Sequence, residues 1–357
     1  MASAVQPRSS LSSKTSGGTR PRVLHIVWDR KVGGVKSTLN GLIHSSLSKS
    51  FEFQVLALRE DQAVLNSRRS QPEIIICHQP ARFKTILDLI LLRMLNPQAR
   101  LILHEHGYSQ GYEQHNVRFR SRFHLALKLC MALVDQVVAI SNAQASWLLS
   151  HGLVKPEKLS MIRQCPPLAA FLTLPDKSPQ QPLRVVAYGR LCPQKGLDVL
   201  LKALSLIPEV PLQLLIGGVG PDADKLQKLA RDLKQEIIWL GRVDDVPALL
   251  AECDVVAIPS RWEPWGNVCV EAKAAGKPVL AAAVDGLVEQ VVDCGWLLPP
   301  DQPQAWAEAL RQLPGFSGKQ LKIWGEKGRE DVRDNWDIYI SSWGDLLTTV
   351  HQSSDQA

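Results

Sequence analysis

The chain has 357 residues, 45% of them hydrophobic and 21% charged, with a formal net charge of +6. That is the size and composition of a globular protein with two ordinary domains, and the mild positive balance permits an acidic substrate or an anionic membrane surface without establishing either. Seven cysteines contain no C-x-x-C pair and mostly sit in apolar runs, as Cys130, Cys253 and Cys269 do, which argues against a zinc site and for reduced thiols in a cytosolic chain.

Residues 1–20 are rich in Ser, Gly, Thr and basic groups and lack the apolar core of a signal peptide, so they read as a disordered tail. Alternating strands and helices follow. Val23 to Trp28 reads as a buried strand, Val35 to Leu47 as a helix, and Phe53 to Leu58 and Ile74 to Cys77 as strands. A helix is expected over Ala81–Leu95, a strand at Leu101–Leu103, one long amphipathic helix over about Val117–Val134, and a strand at Gln136–Ile140. Ser141 is placed to cap the next helix, since its hydroxyl can accept a free helix N–H. The Leu-rich run from Ile86 to Leu95 is too short to span a bilayer. Pro175, Pro179 and Pro182 among polar residues mark a linker at 173–182.

The alternation then restarts. Strands are expected at Leu183–Tyr188, Leu212–Ile216, Ile237–Leu240, Val255–Ile258 and Pro278–Ala281, with helices near Gly196–Leu206, Asp222–Leu233, Val246–Ala251, Val268–Ala275 and Gln304–Leu313. This is a βαβ pattern in two α/β domains, 21–172 and 183–335, facing across a cleft. A final helix over 336–350 is expected to pack back on the first domain, with 351–357 as a second disordered tail.

Polar residues cluster after strand ends, where open parallel sheets place ligands. Gly33-Gly34 follows the first strand and suits a tight turn or close backbone approach to a ligand, but is not a dinucleotide fingerprint. His104-Glu105-His106-Gly107 ends another strand. Alternation puts both histidines on one side and Glu105 on the other, and His106, further past the strand end, is the better cleft residue. The triplet lacks H-E-x-x-H spacing, so no metal ligand is expected. Arg190 and Lys195 flank a loop ending in Gly196. Most such residues are solvated surface, but here a guanidinium fork and an ammonium stand at a cleft rim, which suits ligand phosphate. Gly218, in Gly217-Gly218-Val219-Gly220, is either a plain strand-to-helix turn or backbone lining a nucleotide base. Arg242 and Val243 can offer main-chain groups in the same way.

Pro259 to Ala272 is the most informative stretch. The apolar run Val255–Ile258 stops at Pro259, a loop carries Glu263, Pro264, Trp265 and Gly266, and a helix starts near Asn267. Trp265, Gly266 and Asn267 then direct backbone N–H groups at an anion, and Val268 belongs to the same donor-binding set. Glu271, a turn inside, can accept from ribose hydroxyls, and Glu263 can hold sugar hydroxyls. Two glutamates also suit a glycosidase, but the neighbouring phosphate-type features fit that poorly.

On these residues the chain resembles retaining glycosyltransferases of the GT-B fold, family 4, from about Arg22 to Leu347. The family's E-x7-E motif matches Glu263 and Glu271, its cationic pair Arg190 and Lys195, its glycine loop Gly33-Gly34 and its acceptor-side histidine His106. The resemblance implies two Rossmann-like parallel-sheet domains, a nucleotide diphosphate sugar held by the second, an acceptor entering from the first, and no cofactor or metal. It makes His106, Arg190, Lys195 and Glu263 the catalytic set. Two positions depart from the family. Trp265 stands where phenylalanine is frequent, and Val284-Asp285-Gly286 stands where a Gly-Gly turn is usual. The expected acceptor is a saccharide or lipid-linked saccharide in envelope polysaccharide or glycolipid synthesis, handled in the cytoplasm or at the inner face of the membrane by a chain that does not bind nucleic acid. The alternatives are another GT-B enzyme, such as a sugar-nucleotide epimerase, and a non-catalytic carbohydrate- or nucleotide-binding protein.

Overall fold

The structure is a computed structural model that describes residues 20–28 and 34–353. Gly33 and the tail residues 1–19 and 354–357 lie outside the described residues. Six parallel strands form the first sheet: β1 (Arg22–Val27), β2 (Glu52–Ala57), β3 (Ile74–Cys77), β4 (Arg100–His104), β5 (Gln136–Ala139) and β6 (Leu159–Met161), in the order β2-β1-β3-β4-β5-β6. The central strand Ile74-Ile75-Ile76-Cys77 is buried throughout. Helices on both faces explain why it is one continuous apolar run. These helices are α1 (Gly34–Ile43), α2 (Ala63–Asn66), α3 (Phe83–Leu95), α4 (Gln110–Asn116), α5 (Arg120–Ala132), α6 (Asn142–Ser150) and α7 (Ala169–Leu172).

The amphipathic helix expected over about 117–134 is α5, and a separate short helix that was not expected, α4, precedes it. Ser109 caps α4 by accepting from the Tyr112 amide, and Val117 turns to extended backbone, so the chain restarts at α5. Ser141 caps α6, accepting from the Gln144 amide at 3.0 Å.

The second sheet holds β7 (Leu183–Tyr188), β8 (Leu212–Gly217), β9 (Glu236–Gly241), β10 (Val255–Ile258), β11 (Val279–Ala282) and β12 (Gly295–Leu298), all parallel, in the order β12-β11-β10-β7-β8-β9. Its helices are α8 (Leu197–Ser205), α9 (Ala223–Ala230), α10 (Val246–Ala251), α11 (Asn267–Ala274), α12 (Leu287–Gln290) and α13 (Pro303–Gln312). The strand order reverses between β7 and β10. A doubly wound sheet opens a crevice at such a point, outside the carboxyl ends of the strands. The chain thus forms the expected two Rossmann-like parallel-sheet domains.

Two helices close the chain, α14 (Gly318–Val332) and α15 (Asn335–Gln352). α14 was not among the expected elements, and it carries Gly325 and Gly328, residues of low helix propensity. Those glycines have a packing reason: a Cβ on Gly325 would stand 2.1 Å from the Gly276 carbonyl oxygen, and one on Gly328 would press on Lys273. α15 buries Tyr339, Ile340, Trp343, Leu346 and Leu347. Trp343 meets the His104 ring edge-on at 5.0 Å, so this helix packs on the first domain. It extends beyond the expected end at 350. His351 and Gln352, expected in a tail, are helical, and His351 Nδ1 lies 3.4 Å from Glu73.

Candidate functional site

The reversal point of the second sheet collects most of the expected residues. β7 ends at Tyr188 and delivers Gly189, Arg190 and, after a short turn, Lys195. β10 ends at Ile258 and delivers the loop carrying Ser260 and Glu263. Glu263 is buried and pairs with the Lys195 ammonium, and the Ser260 hydroxyl donates to the same carboxylate oxygen at 3.1 Å. Two expected catalytic residues therefore form one ion pair. The stem of Lys195 runs over Gly189, where a Cβ would come within 3.5 Å of it. Arg190 is exposed and makes no ion pair among the described residues, so its guanidinium is available to an anion.

Gly266 caps α11 at φ +101°, and a Cβ there would crowd Glu263 and Leu287 at 2.9 Å. Only glycine suits that turn. The first amides of α11, at Asn267 and Val268, have no intrahelical acceptor, as at any helix start, and carry the positive end of the helix dipole. Both side chains are half-buried. One turn on, Glu271 accepts from the Tyr188 hydroxyl at 2.7 Å. Burial raises its carboxyl to about 7, against smaller downward pulls from that hydroxyl and from Lys195.

Other expected donor-side residues have structural duties. Trp265 is buried in the core, so its indole packs and does not line an open pocket. Gly218 has φ +130°, and its Cβ would lie 1.8 Å from the Gly189 carbonyl oxygen, so its backbone supports the Arg190 loop. Val243 packs on Gly217, and Arg242 is exposed and paired with Asp244 at 2.8 Å. Gly34 is the first residue of α1.

His106 sits across the cleft. Its Nδ1 lies 3.2 Å from Gln164 Oε1 and its Nε2 2.9 Å from His78 Nδ1. Burial lowers it to about 4, with Gln164 opposing, so it is neutral at ordinary pH. His104 and His106 do share a side, with ring centroids 3.8 Å apart, while Glu105 accepts from the Gly107 and Tyr108 amides. Gln164 donates to Thr38 Oγ1 at 3.3 Å, and Asn267 reaches the same hydroxyl at 3.4 Å from the other domain.

Sequence reasoning registered Asp285 only as a departure from a Gly-Gly turn. Its carboxylate accepts from Ser109 Oγ at 2.8 Å, the Gly111 amide at 3.0 Å and the Glu263 amide at 3.0 Å. It therefore ties the start of α4 to the loop that presents Glu263. Glu289 does the same at α6, accepting from Asn142 Nδ2 at 2.7 Å and lying 3.5 Å from Arg163. The signal available in the sequence was Asp285 beside Gly286, at a turn where a positive φ of 38° suits a short polar residue.

Residues 175–331 match the family model described as Glycosyl transferases group 1. A D-inositol 3-phosphate glycosyltransferase of Jonesia denitrificans is 31% identical over 228 residues, covering 56% of this chain and 54% of that one. The chain spans about half the length of the curated relatives it matches. Among solved structures, Anabaena Alr3699/HepE in complex with UDP and glucose superposes with a TM-score of 0.76 at 19% identity, covering 92% of this chain and 100% of that one. Sucrose-phosphate synthase from Thermosynechococcus elongatus gives 0.75 at 20% identity, covering 94% and 100%.

Two outcomes follow from the geometry. In the folded state Glu271 keeps its proton up to about pH 7, against an ordinary 4.5. Between those values the folded state binds more protons than the unfolded one, so this residue's contribution to stability falls as pH rises and levels off above the upper value. Glu271→Gln removes that slope. Urea midpoints at about pH 5 and about pH 8 should drop more in the parent than in the variant, and equal drops would mean that Glu271 titrates normally. Asp285→Gly relieves the positive φ while deleting the carboxylate, so any loss belongs to the bridge. Its radius of gyration in small-angle X-ray scattering should rise; an unchanged curve would show that the domains are held together elsewhere.

The chain has the GT-B fold and is related to the glycosyl transferases group 1 family, whose model covers the domain that carries Arg190, Lys195, Glu263 and Glu271.

Proposed function

We propose that this protein is a retaining glycosyltransferase that moves a sugar from a nucleotide diphosphate sugar to a hydroxyl acceptor. The observation that carries this reading is the convergence of Arg190, the Lys195–Glu263 pair and the start of α11 at one sheet reversal. A helix start beside two cations is an anion site built for a diphosphate. The relatives' printed activity supports sugar transfer, and the UDP and glucose bound to the structural neighbour support a UDP-sugar as donor. The 183–335 domain holds the donor and the 21–172 domain admits the acceptor. Glu271, joined to Tyr188, meets the ribose hydroxyls, and Glu263 meets the sugar.

In the reaction the bond from the anomeric carbon to the diphosphate oxygen breaks, and the electron pair leaves on the diphosphate. Arg190, Lys195 and the amides of Asn267 and Val268 stabilise that growing charge. The acceptor oxygen bonds to the anomeric carbon on the same face, and its proton passes to a phosphate oxygen of the leaving group. These fixed charges neutralise the diphosphate without a divalent ion. His106, neutral and fixed by Gln164, orients the sugar or acceptor hydroxyl by giving up the hydrogen bond that its Nε2 accepts from His78.

The acceptor is a lipid-linked saccharide at the inner face of a membrane. Phe83, Leu87, Ile90, Leu91 and Met94 line an exposed stripe of α3, and Leu125 and Leu129 are exposed on neighbouring α5. The Arg122 guanidinium lies over the Phe83 ring at 5.4 Å, placing a cation beside the stripe. Apolar residues rimmed by cations suit an anionic bilayer interface. No helix among the described residues is long and apolar enough to cross a membrane.

Arg190→Ala, at an exposed side chain, should leave circular dichroism unchanged and cost roughly 2–4 kcal/mol in the transition state, read as kcat with UDP-sugar at saturating acceptor. Lys195→Ala should do the same. Undiminished turnover in both would move the phosphate site elsewhere. Separately, the double variant Leu87→Asp/Met94→Asp should stop the protein sedimenting with phosphatidylcholine vesicles containing phosphatidylglycerol. Equal sedimentation of parent and variant would remove the membrane from this reading.

A further inference from the structure

Four histidines meet behind the cleft. His25 lies in β1, His78 follows β3, His104 ends β4 and His106 stands two residues beyond. We propose that His78, His104 and His106 bind a first-row cation of the zinc class, in a site one layer behind the sugar-transfer cleft. It stands whether or not the chain transfers sugar.

One nitrogen from each of the three rings lies within 4.8 Å of the others. His78 Nδ1 and His106 Nε2, at 2.9 Å, are already inside the roughly 3.4 Å edge of a tetrahedron with metal–nitrogen bonds of about 2.1 Å. A cavity of about 10 Å³ is lined by all four rings, with Thr38 and Trp343 beside them. That is about the space of one water-sized atom. His104 is 2% exposed, and neither of its ring nitrogens has a hydrogen-bond partner. Buried polar atoms are rarely left so. Three imidazoles without a thiolate suit zinc, nickel or copper rather than magnesium or calcium.

The hydrogen-bond chain accommodates the ion without any net change in protons. Gln164 donates its amide to Thr38 and turns its oxygen to His106 Nδ1, so the His106 hydrogen is on Nδ1 and its Nε2 is a lone pair. His78 donates to that lone pair from Nδ1 and accepts at Nε2 from His25 Nδ1 at 2.9 Å. A cation between His78 Nδ1 and His106 Nε2 replaces the shared hydrogen. His78 then carries its hydrogen on Nε2 and donates to His25 Nδ1, and His25 carries its own on Nε2, an atom now buried without a partner. The proton displaced from His78 ends on His25. His25 thereby becomes the outer-shell partner that orients a ligating imidazole.

The test uses the full chain, free of any polyhistidine tag, stripped with chelator and carrying Cys192→Ser, because Cys192 is the cysteine that is not buried. Calorimetry with zinc chloride should show one equivalent bound. His78→Gln and His104→Gln should each weaken binding by at least about tenfold. X-ray absorption of the zinc-loaded parent should show three imidazoles, a reading that does not require either variant to fold. No binding in the parent, or a sulfur-containing or imidazole-free shell, overturns the proposal. So does binding that survives both variants but is lost in His124→Gln, because Glu113, His124 and His151 form a second cluster. Sugar transfer enters none of these readings, so its failure and the failure of the metal site are distinguishable.

Discussion

The carboxylate of Asp285 is where the two domains and the loop carrying Glu263 meet. It accepts one hydrogen bond from the Glu263 amide and two from the start of α4 in the opposite domain. A carboxylate in such company gains charge-assisted bonds and the favourable end of a helix dipole. A Cβ on Gly111 would stand 2.6 Å from that carboxylate, so the helix approaches Asp285 only because glycine is there. Glu289 repeats the arrangement at α6, and Asn267 reaches Thr38. The cleft is therefore framed by polar bonds that water or a ligand can replace, while one buried apolar cluster that includes Phe171, Val270 and Trp343 runs through both domains.

Burial governs the chemistry on both walls. Glu263 pairs with the Lys195 ammonium, while Glu271 accepts from a hydroxyl and is pushed up to about 7 by burial. Two carboxylates of one motif thus have different partners. On the opposite wall the same desolvation keeps a row of imidazoles neutral and aligns their hydrogens in one direction through Gln164. His106 consequently carries its hydrogen toward Gln164, accepts from His78 at Nε2, and does not act as a cation.

Much of the architecture was legible along the chain. Strands buried on both faces are continuous apolar runs, and Ile74–Cys77 and Val255–Ile258 begin and end where those runs do. The loops carrying Arg190, Lys195, Glu263 and Gly266 were legible because parallel sheets set their ligand residues after strand ends, and glycine and proline mark those ends. Elements defined by what lies against them were hidden. α14 contains glycines that read as breakers but serve close packing, and β6, Leu159–Met161, is too short and mixed to show a period.

The alternation of strand and helix, the strand ends and the residue types available there are written in local backbone preference and hydrophobic period. Which strand ends become neighbours depends on the packed fold. It put β7 beside β10, which turned Lys195 and Glu263 into a pair, and β1, β3 and β4 side by side, which gathered His25, His78, His104 and His106. It also turned the indole of Trp265 into the core and gave Asp285 to the opposite domain. Partners separated by tens of residues share no local period, and the order of strands in a sheet is set by the packing of both its faces.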